Sequence, residues 1–316
     1  MKRFVNDAIG MIALSVLFLT ACGSAVPGSD RGLKVLASTS FLADIAQNVA
    51  GDRAHVESLL PIGADPHAYQ ATPADVVKIS ASNVLILNGI EYEHFIESLL
   101  ESADGERLVV VATDGLKPRE MGEGQGVENA DETGSGSGGH EAGDPHLWLD
   151  PTLVVKYVEN IRDGLGQADP EGAEIYKANA DAYIAKLREL DAWIVEQVGA
   201  IPVERRLLVT NHGALGYFAG RYGFTIVDTI LPSFSSDASA SAREVAAAIE
   251  AIKSSGAPAI FLDEVENATL ADQISAETGV EVVGGLHLES LTDGAPAGTY
   301  VDMMKYNVSL IVEALR

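Results

Sequence analysis

A long helical pattern in the middle of the chain constrains the fold more than any other feature. Between Pro170 and Val198, apolar residues recur at steps of three or four, the spacing of one buried helical stripe. A helix of about 28 residues is about 40 Å long, enough to run along a whole domain. The stripe consists of Tyr176, Ala180, Tyr183, Leu187, Leu190, Ile194 and Val198.

Short apolar runs alternate with helical patterns on both sides of this helix. Alternation of this kind is typical of βαβ units with a mainly parallel sheet. We therefore predict an α/β fold of two lobes with mainly parallel sheets, joined by one long connector helix. The predicted strands are 34–37, 56–60, 84–87 and 108–112 before the helix, and 207–210, 225–227, 259–262 and 280–283 after it.

The 316 residues are enough for two domains that each bury a core. We predict an N-terminal lobe over 33–169, the connector over 170–199 and a C-terminal lobe over 200–316. Residues 119–143 are rich in Gly, Glu, Asp and Ser without an apolar period, so we expect a disordered acidic loop there.

The N-terminus has the layout of a secretory signal. Lys2 and Arg3 precede an apolar run, and the string Leu19-Thr20-Ala21-Cys22-Gly23 follows it. This segment, residues 1–22 with the lipobox Cys22, resembles a bacterial lipoprotein signal, which implies that the Cys22 thiol is lipidated and that Cys22 becomes the new N-terminus. Residues 23–32 would then be a flexible tether. An ordinary signal peptide with a chance cysteine is the alternative.

Charge and cysteine content exclude several classes of protein. Lys and Arg number 21 against 46 Asp and Glu, which gives a net charge of −25. A duplex nucleic-acid binder needs a basic face, so we predict no nucleic-acid partner. The single cysteine excludes a disulfide framework within the chain, a cysteine-rich zinc module and an iron–sulfur cluster.

Four side chains in turns are candidate metal ligands: His67, His146, His212 and Glu289. His67, His212 and Glu289 follow predicted strands, and ligands of α/β sheets bind beyond the carboxyl ends of strands. Three imidazoles and one carboxylate suit a four-coordinate zinc ion, whereas manganese generally prefers more oxygen ligands. The alternative is that these residues are separate capping or hydrogen-bonded groups in loops.

At these positions the sequence closely resembles the metal-binding solute-binding proteins of zinc and manganese ABC importers, the ZnuA/TroA-like family. The resemblance runs from about residue 35 to residue 315. It rests on Gly63-x-Asp65-Pro66-His67-x-Tyr69, Asp144-Pro145-His146-x-Trp148-Leu149-Asp150-Pro151, Thr210-x-His212-x-Ala214-x-Gly216-Tyr217-Phe218 and Tyr176-x-x-Asn179.

The resemblance implies that His67, His146 and His212 are the first three ligands of the site. Glu289 stands where the family commonly has Asp in an Asp-Ser-Leu string, so it is the expected fourth ligand. Histidine at the position of His212 resembles zinc-type members, and we therefore favour zinc, with manganese or iron as the alternative. Further candidates around the ligands are Asp65, Glu264 and His287, the last also as an alternative ligand.

The expected function is capture of a divalent metal ion outside the cytoplasm and its delivery to an ABC permease. The protein would be a lipid-anchored monomer on a bacterial membrane and not an enzyme. A metallohydrolase is disfavoured, because the sequence contains neither a His-Glu-x-x-His nor a Gly-x-Ser-x-Gly motif. A surface adhesin stabilised by a structural metal is the other alternative.

Overall fold

Two four-stranded parallel sheets form the framework of the computed structural model, which describes residues 32–119, 143–231, 240–263 and 268–316. The first sheet contains β1 (Lys34–Ala37), β2 (His55–Ser58), β3 (Val84–Leu87) and β4 (Leu108–Val111), in the order β2-β1-β3-β4. The second contains β5 (Leu207–Thr210), β6 (Thr225–Thr229), β7 (Ala259–Asp263) and β8 (Glu281–Leu286), in the order β6-β5-β7-β8. The predicted α/β class with parallel sheets is confirmed.

Helices follow most of the strands. Those of the first half are α1 (Ser40–Ala50), α2 (Pro73–Ala81), α3 (Glu97–Ser102) and α4 (Pro151–Ala168), and the connector is α5 (Ala173–Gly199). The second half contains α6 (Gly216–Tyr222), α7 (Ala242–Ser255), α8 (Ala268–Thr278) and α9 (Tyr300–Leu315). None of the helices within the described residues is both long and apolar enough to cross a membrane.

In each sheet, the first strand in the sequence lies inside the sheet and pairs with one strand on either side. In the first sheet β1 pairs with both β2 and β3, and in the second β5 pairs with both β6 and β7. The connections that leave β1 and β3, like those that leave β5 and β7, run in opposite directions along the sheet. The crevice that this opens between the two strands, at their carboxyl ends, is where α/β proteins bind ligands. The fold therefore provides one such crevice in each sheet.

The predicted connector helix is confirmed as α5. It starts at Ala173, after a single 3₁₀ turn over Pro170–Gly172, and all seven residues of the predicted stripe are buried. The helix packs against α1 and α4 of the first half and against α9 of the second. An ion pair between Arg221 of α6 and Asp191 of α5, with a nitrogen–oxygen distance of 2.6 Å, adds a further link. One rigid element thus contacts both halves of the molecule.

A single large apolar cluster extends across both sheets. Its largest members are fully buried aromatic side chains, and Phe41 of α1 stacks on Trp148 with ring centroids 4.5 Å apart. Phe261 of β7 and Tyr300 of α9 belong to the same cluster. The described residues from 32 onward accordingly form one compact unit.

Several predicted boundaries differ from the observed ones. β2 starts and ends earlier than predicted, and β8 continues to Leu286 rather than ending at Val283. Gly284 and Gly285 carry no apolar signal, which is why the end of β8 was missed in the sequence. The signal segment 1–22 with Cys22, nearly all of the tether 23–32 and residues 120–142 of the acidic loop lie outside the described residues.

Two glycines of α4 provide a matched test of the packing between α4 and the first sheet. A Cβ atom at Gly164 would lie 2.3 Å from Val110 Cγ2 of β4, whereas one at Gly166 would find Ala173 Cβ at an ordinary 3.8 Å. Alanine is favoured over glycine in a helix by about 1 kcal/mol, and overpacking a core costs about 1–3 kcal/mol.

We expect Gly166→Ala to raise the free energy of unfolding by up to about 1 kcal/mol. We expect Gly164→Ala to lower it by up to about 2 kcal/mol, because the strand must shift and this cost exceeds the gain in helix propensity. Urea unfolding followed by circular dichroism measures both values. Equal stabilisation by the two substitutions would contradict the close approach of α4 to β4.

Candidate metal centre

Four side chains from distant parts of the chain meet between the two sheets. His67 follows β2, His146 precedes α4, His212 follows β5 and Glu289 follows β8. One nitrogen or oxygen atom from each of them lies within 4.8 Å of the corresponding atom of every other. The structure thus brings together all four residues that the sequence suggested as ligands.

The centre of the cluster is one oxygen atom. Glu289 Oε1 lies 3.0 Å from His67 Nε2, 3.1 Å from His146 Nε2 and 3.1 Å from His212 Nε2. The His67 side chain is 4% exposed and the other three side chains are at most 1% exposed. Three imidazole nitrogens and a carboxylate, buried at one point, are a donor set for a borderline divalent cation such as zinc.

Two buried aspartates lie beside the Nδ1 atoms of two of the imidazoles, on the side of each ring away from the cluster. Asp144 Oδ1 lies 2.8 Å from His146 Nδ1, and Asp263 Oδ2 lies 2.9 Å from His212 Nδ1. A carboxylate that accepts the Nδ1 hydrogen leaves the Nε2 lone pair free to bind a metal and makes the imidazole a better donor. Asp144 therefore orients His146 through a hydrogen bond, and Asp263 lies close enough to the His212 imidazole to form an ion pair with it.

Sequence reasoning missed the roles of these two aspartates. Asp144 stands in the Asp-Pro-His string two residues before His146, where its role was open to inference. Asp263 is the last residue of β7, all of whose residues are buried. A charged residue at the carboxyl end of such an apolar strand was the signal that could have identified it.

The suggested supporting residues have different positions in the structure. Asp65 accepts a hydrogen bond from the backbone N–H of His67 at 2.9 Å, so it shapes the turn that carries this ligand. The His287 ring lies against Tyr306 of α9, at 5.7 Å between centroids, and His287 is not among the four clustered residues. Glu264 lies outside the described residues.

Contacts between the halves of the chain fix the segment that carries Glu289. Trp148 Nε1 donates to the carbonyl oxygen of Leu288 at 2.7 Å. Ser290 Oγ accepts from the N–H of Gly63 at 2.7 Å, within the turn that leads to His67. The Trp148 indole hydrogen bond thus connects the His146 turn to the residue before Glu289.

Charges within the cluster shift the pKa values of its members. Burial by itself would lower the pKa of His146, but hydrogen bonds with Asp144 and Glu289 raise this pKa above its ordinary value. Burial opposes ionisation of His212 in the same way, and Asp263 followed by Glu289 raises the pKa of His212 well above its usual range. Burial would raise the pKa of Glu289, but the three imidazoles hold it well below its ordinary value. The cluster thus favours a carboxylate surrounded by positive charge.

An unusual turn after β3 supports His67. Gly89, Ile90 and Glu91 have φ angles of 92°, 57° and 56°, a left-handed run that is unfavourable for the two non-glycine residues. The turn leads to Tyr92, whose ring meets that of His67 edge-on, with centroids 5.7 Å apart. The shape of this turn therefore determines what packs against the first ligand.

Glu93 holds this turn from inside the protein. Its carboxylate accepts hydrogen bonds from the N–H groups of Asn88 and Gly89 and from the hydroxyl of Ser38. Burial raises the pKa of the Glu93 carboxyl to about 7, against the lowering effect of these hydrogen bonds. Glu93 is thus a buried acid that titrates near neutral pH.

Comparison with known proteins identifies the family of this chain. Residues 35–314 match the family described as ZnuA, zinc-uptake complex component A, periplasmic. The chain belongs to this family.

Named relatives of this ZnuA-family protein differ in the metal they are named for. The manganese-binding lipoprotein MntA of Halalkalibacterium halodurans is 34% identical over 310 residues, covering 96% of this chain and 97% of the relative. The iron-binding protein YfeA of Yersinia pestis is 34% identical over 308 residues, covering 96% and 93%. The periplasmic zinc-binding protein TroA of Treponema pallidum superposes with a TM-score of 0.76 at 28% identity, covering 89% of this chain and 98% of that one.

Membership of the ZnuA family confirms three predictions. The protein is a metal-binding, substrate-binding component of an ABC metal importer, and it is not an enzyme. The family is described as periplasmic, which confirms the predicted extracytoplasmic location; among the relatives, MntA is named a lipoprotein and TroA a periplasmic protein.

The raised pKa of the buried Glu93 predicts how the stability of the protein depends on pH. A carboxyl whose pKa is raised from about 4.5 to about 7 on folding binds more protons in the folded state, so folding becomes less favourable as pH rises through that interval. At 1.36 kcal/mol per pKa unit, its contribution falls by about 3 kcal/mol between pH 4.5 and pH 8.

We expect Glu93→Gln to reduce this loss of stability, because glutamine does not titrate. Urea unfolding of the metal-free protein, repeated from pH 4.5 to pH 8 with and without the substitution, measures the difference between the two slopes. Parallel curves would contradict the raised pKa of Glu93.

Proposed function

We propose that this protein captures one zinc ion through His67, His146, His212 and Glu289 and delivers it to an ABC permease. The observation that carries the proposal is the approach of three Nε2 atoms to 3.0–3.1 Å from one carboxylate oxygen. Ligand atoms about 2.0–2.1 Å from a tetrahedral zinc ion lie about 3.3 Å from one another. Zinc can therefore bind with small movements of the side chains.

The character of the donor atoms favours zinc over manganese. Three of the four candidate donors are imidazole nitrogens, and zinc adopts such a four-coordinate site without geometric penalty. Burial of the cluster limits the water oxygens that a manganese ion would need to complete its coordination. The histidine at position 212 adds to this argument through the resemblance to zinc-type members.

Manganese or iron is the second candidate cargo. Two relatives that are 34% identical are named for binding these metals. A Glu289 carboxylate that binds through both oxygens would add the oxygen donor that manganese favours. A manganese or iron cargo would use the same four ligands and would change only the metal selectivity of the site.

We also propose that Cys22, the lipobox cysteine at the end of the signal segment 1–22, carries the lipid anchor and becomes the N-terminus when the residues before it are removed. Residues 23–32 would then tether a metal-binding body with lobes over 33–169 and 200–316, on either side of the connector 170–199. We further propose that this body acts as a monomer, because one chain supplies all four candidate ligands.

A competition titration tests the identity of the metal. Protein stripped with a chelator is given zinc and manganese together, and the bound metals are measured by elemental analysis after desalting. We expect one zinc per chain. Preferential retention of manganese would contradict the zinc assignment while leaving the transport role intact.

Histidine variants test the site itself. We expect His212→Ala to weaken zinc binding by at least about 100-fold, because it removes a ligand rather than a supporting residue. His55→Ala is the matched control, since His55 is an exposed residue of β2 outside the cluster. Equal affinities in these two variants would contradict the proposed ligands.

A further inference from the structure

Arg119, which lies beyond the end of β4, reaches from the first half of the molecule to α6 of the second. Its guanidinium donates a short hydrogen bond to the carbonyl oxygen of Gly216 and lies over the ring of Tyr217, 5.8 Å from the centroid. Its backbone N–H donates to Tyr217 Oη at 2.9 Å. One residue thus makes three separate contacts with the start of α6.

Two glycines of α6 make room for this side chain. A Cβ atom at Gly220 would lie 2.9 Å from Arg119 Nη1, and one at Gly216 would lie 3.9 Å from Arg119 Cζ. The two positions are four residues apart and therefore share one face of the helix. Because Gly216 and Gly220 face Arg119, α6 has no side chains at the place where the guanidinium lies.

The same contacts extend to Asp144. The carbonyl oxygen of Arg119 accepts from the N–H of Asp144 at 3.1 Å, and Tyr217 Oη donates to the carbonyl oxygen of Asp144 at 2.8 Å. A Cβ atom at Gly216 would lie 3.0 Å from Asp144 Oδ2, so this carboxylate packs against the start of α6. Arg119, Tyr217 and Gly216 together enclose Asp144.

Asp144 connects the residues that make these contacts to the metal centre. Its Oδ1 atom accepts from the backbone N–H of His146 at 3.0 Å and lies 2.8 Å from His146 Nδ1. The helix α6 itself starts just after His212, beyond one 3₁₀ turn over Gly213–Leu215. Arg119 is therefore connected to one ligand through Asp144 and to another through α6.

We infer that Arg119 is a positioning residue of the metal centre, which keeps His146 and His212 directed at a common point and so slows release of the bound divalent cation. The inference rests on the proposed function, because it assigns to Arg119 an effect on the metal held there. Residues that hydrogen-bond directly to metal ligands change metal affinity by 10–100-fold in other sites, and because Arg119 acts one residue further away, we expect an effect at the lower end of that range.

The test is the rate at which zinc leaves the protein. Zinc-loaded protein is mixed with an excess of a chromogenic chelator that does not itself enter the site, and transfer is followed by stopped flow. We expect Arg119→Ala to release zinc about tenfold faster than the wild type. We expect Arg119→Lys, which retains a donor but loses the planar stack, to give an intermediate rate.

Arg221→Ala is the matched control. Arg221 also belongs to an arginine–tyrosine stack, 5.8 Å from the centroid of Tyr222, but its hydrogen bonds go to Asp191 of α5 instead of to the surroundings of Asp144. We expect this variant to release zinc at the wild-type rate. Equal acceleration in Arg119→Ala and Arg221→Ala would mean that α6 has only been loosened, and it would overturn the inference.

A further measurement, together with metal binding by the wild type, separates the possible failures. The visible spectrum of the cobalt-loaded protein reports the ligand geometry, and we expect it to change in Arg119→Ala but not in Arg221→Ala. Wild-type release and spectrum in Arg119→Ala, or in Arg119→Lys if the alanine variant does not fold, would overturn the role of Arg119. Failure of the wild type to bind any metal would instead contradict the proposed function.

Discussion

The site depends on one buried carboxylate oxygen, Glu289 Oε1, that faces three imidazole nitrogens. A buried carboxylate is stable only when positive charge or hydrogen-bond donors surround it. In the metal-free protein, protons on His146 and His212, whose pKa values Asp144 and Asp263 raise together with Glu289, help to meet that need, and the three imidazoles hold the pKa of Glu289 well below its ordinary value. A divalent cation at the same point would replace those protons, so metal binding and proton binding compete.

The rest of the molecule holds these four side chains at one point although they come from both halves of the chain. The connector α5 contacts helices on both sides, and the large apolar cluster extends across both sheets. Closer to the site, the Trp148 indole and the Ser290 hydroxyl join the ligand-bearing segments directly. Asp144 then orients His146, and Asp263 lies beside the His212 imidazole. Together these contacts keep the four side chains at one point, which suits a protein that must hold a small cation in a buried site.

The sequence contained enough information for the architecture and for the four clustered residues, but not for the residues that support them. The stripe on α5 and the alternation of strands are local periodic signals, and histidines in turns after strands follow from the geometry of α/β sheets. Asp263 and Arg119 act through partners far away in the chain, so their roles become visible only when β7 and α6 are seen beside the ligands. Glu93 is a similar case, since only the fold reveals that its carboxylate is buried against backbone N–H groups. His287 is the reverse case: it is close to Glu289 in sequence, but its ring packs against α9.

X-ray absorption at the zinc K-edge of the zinc-loaded protein tests the central claim most directly, because it counts the ligands around the bound ion. The account predicts three imidazoles, recognised by multiple scattering from their rings, and carboxylate oxygen in one shell at about 2.0–2.1 Å. A spectrum with one imidazole or none, or with six oxygen ligands, would contradict a site formed by His67, His146, His212 and Glu289.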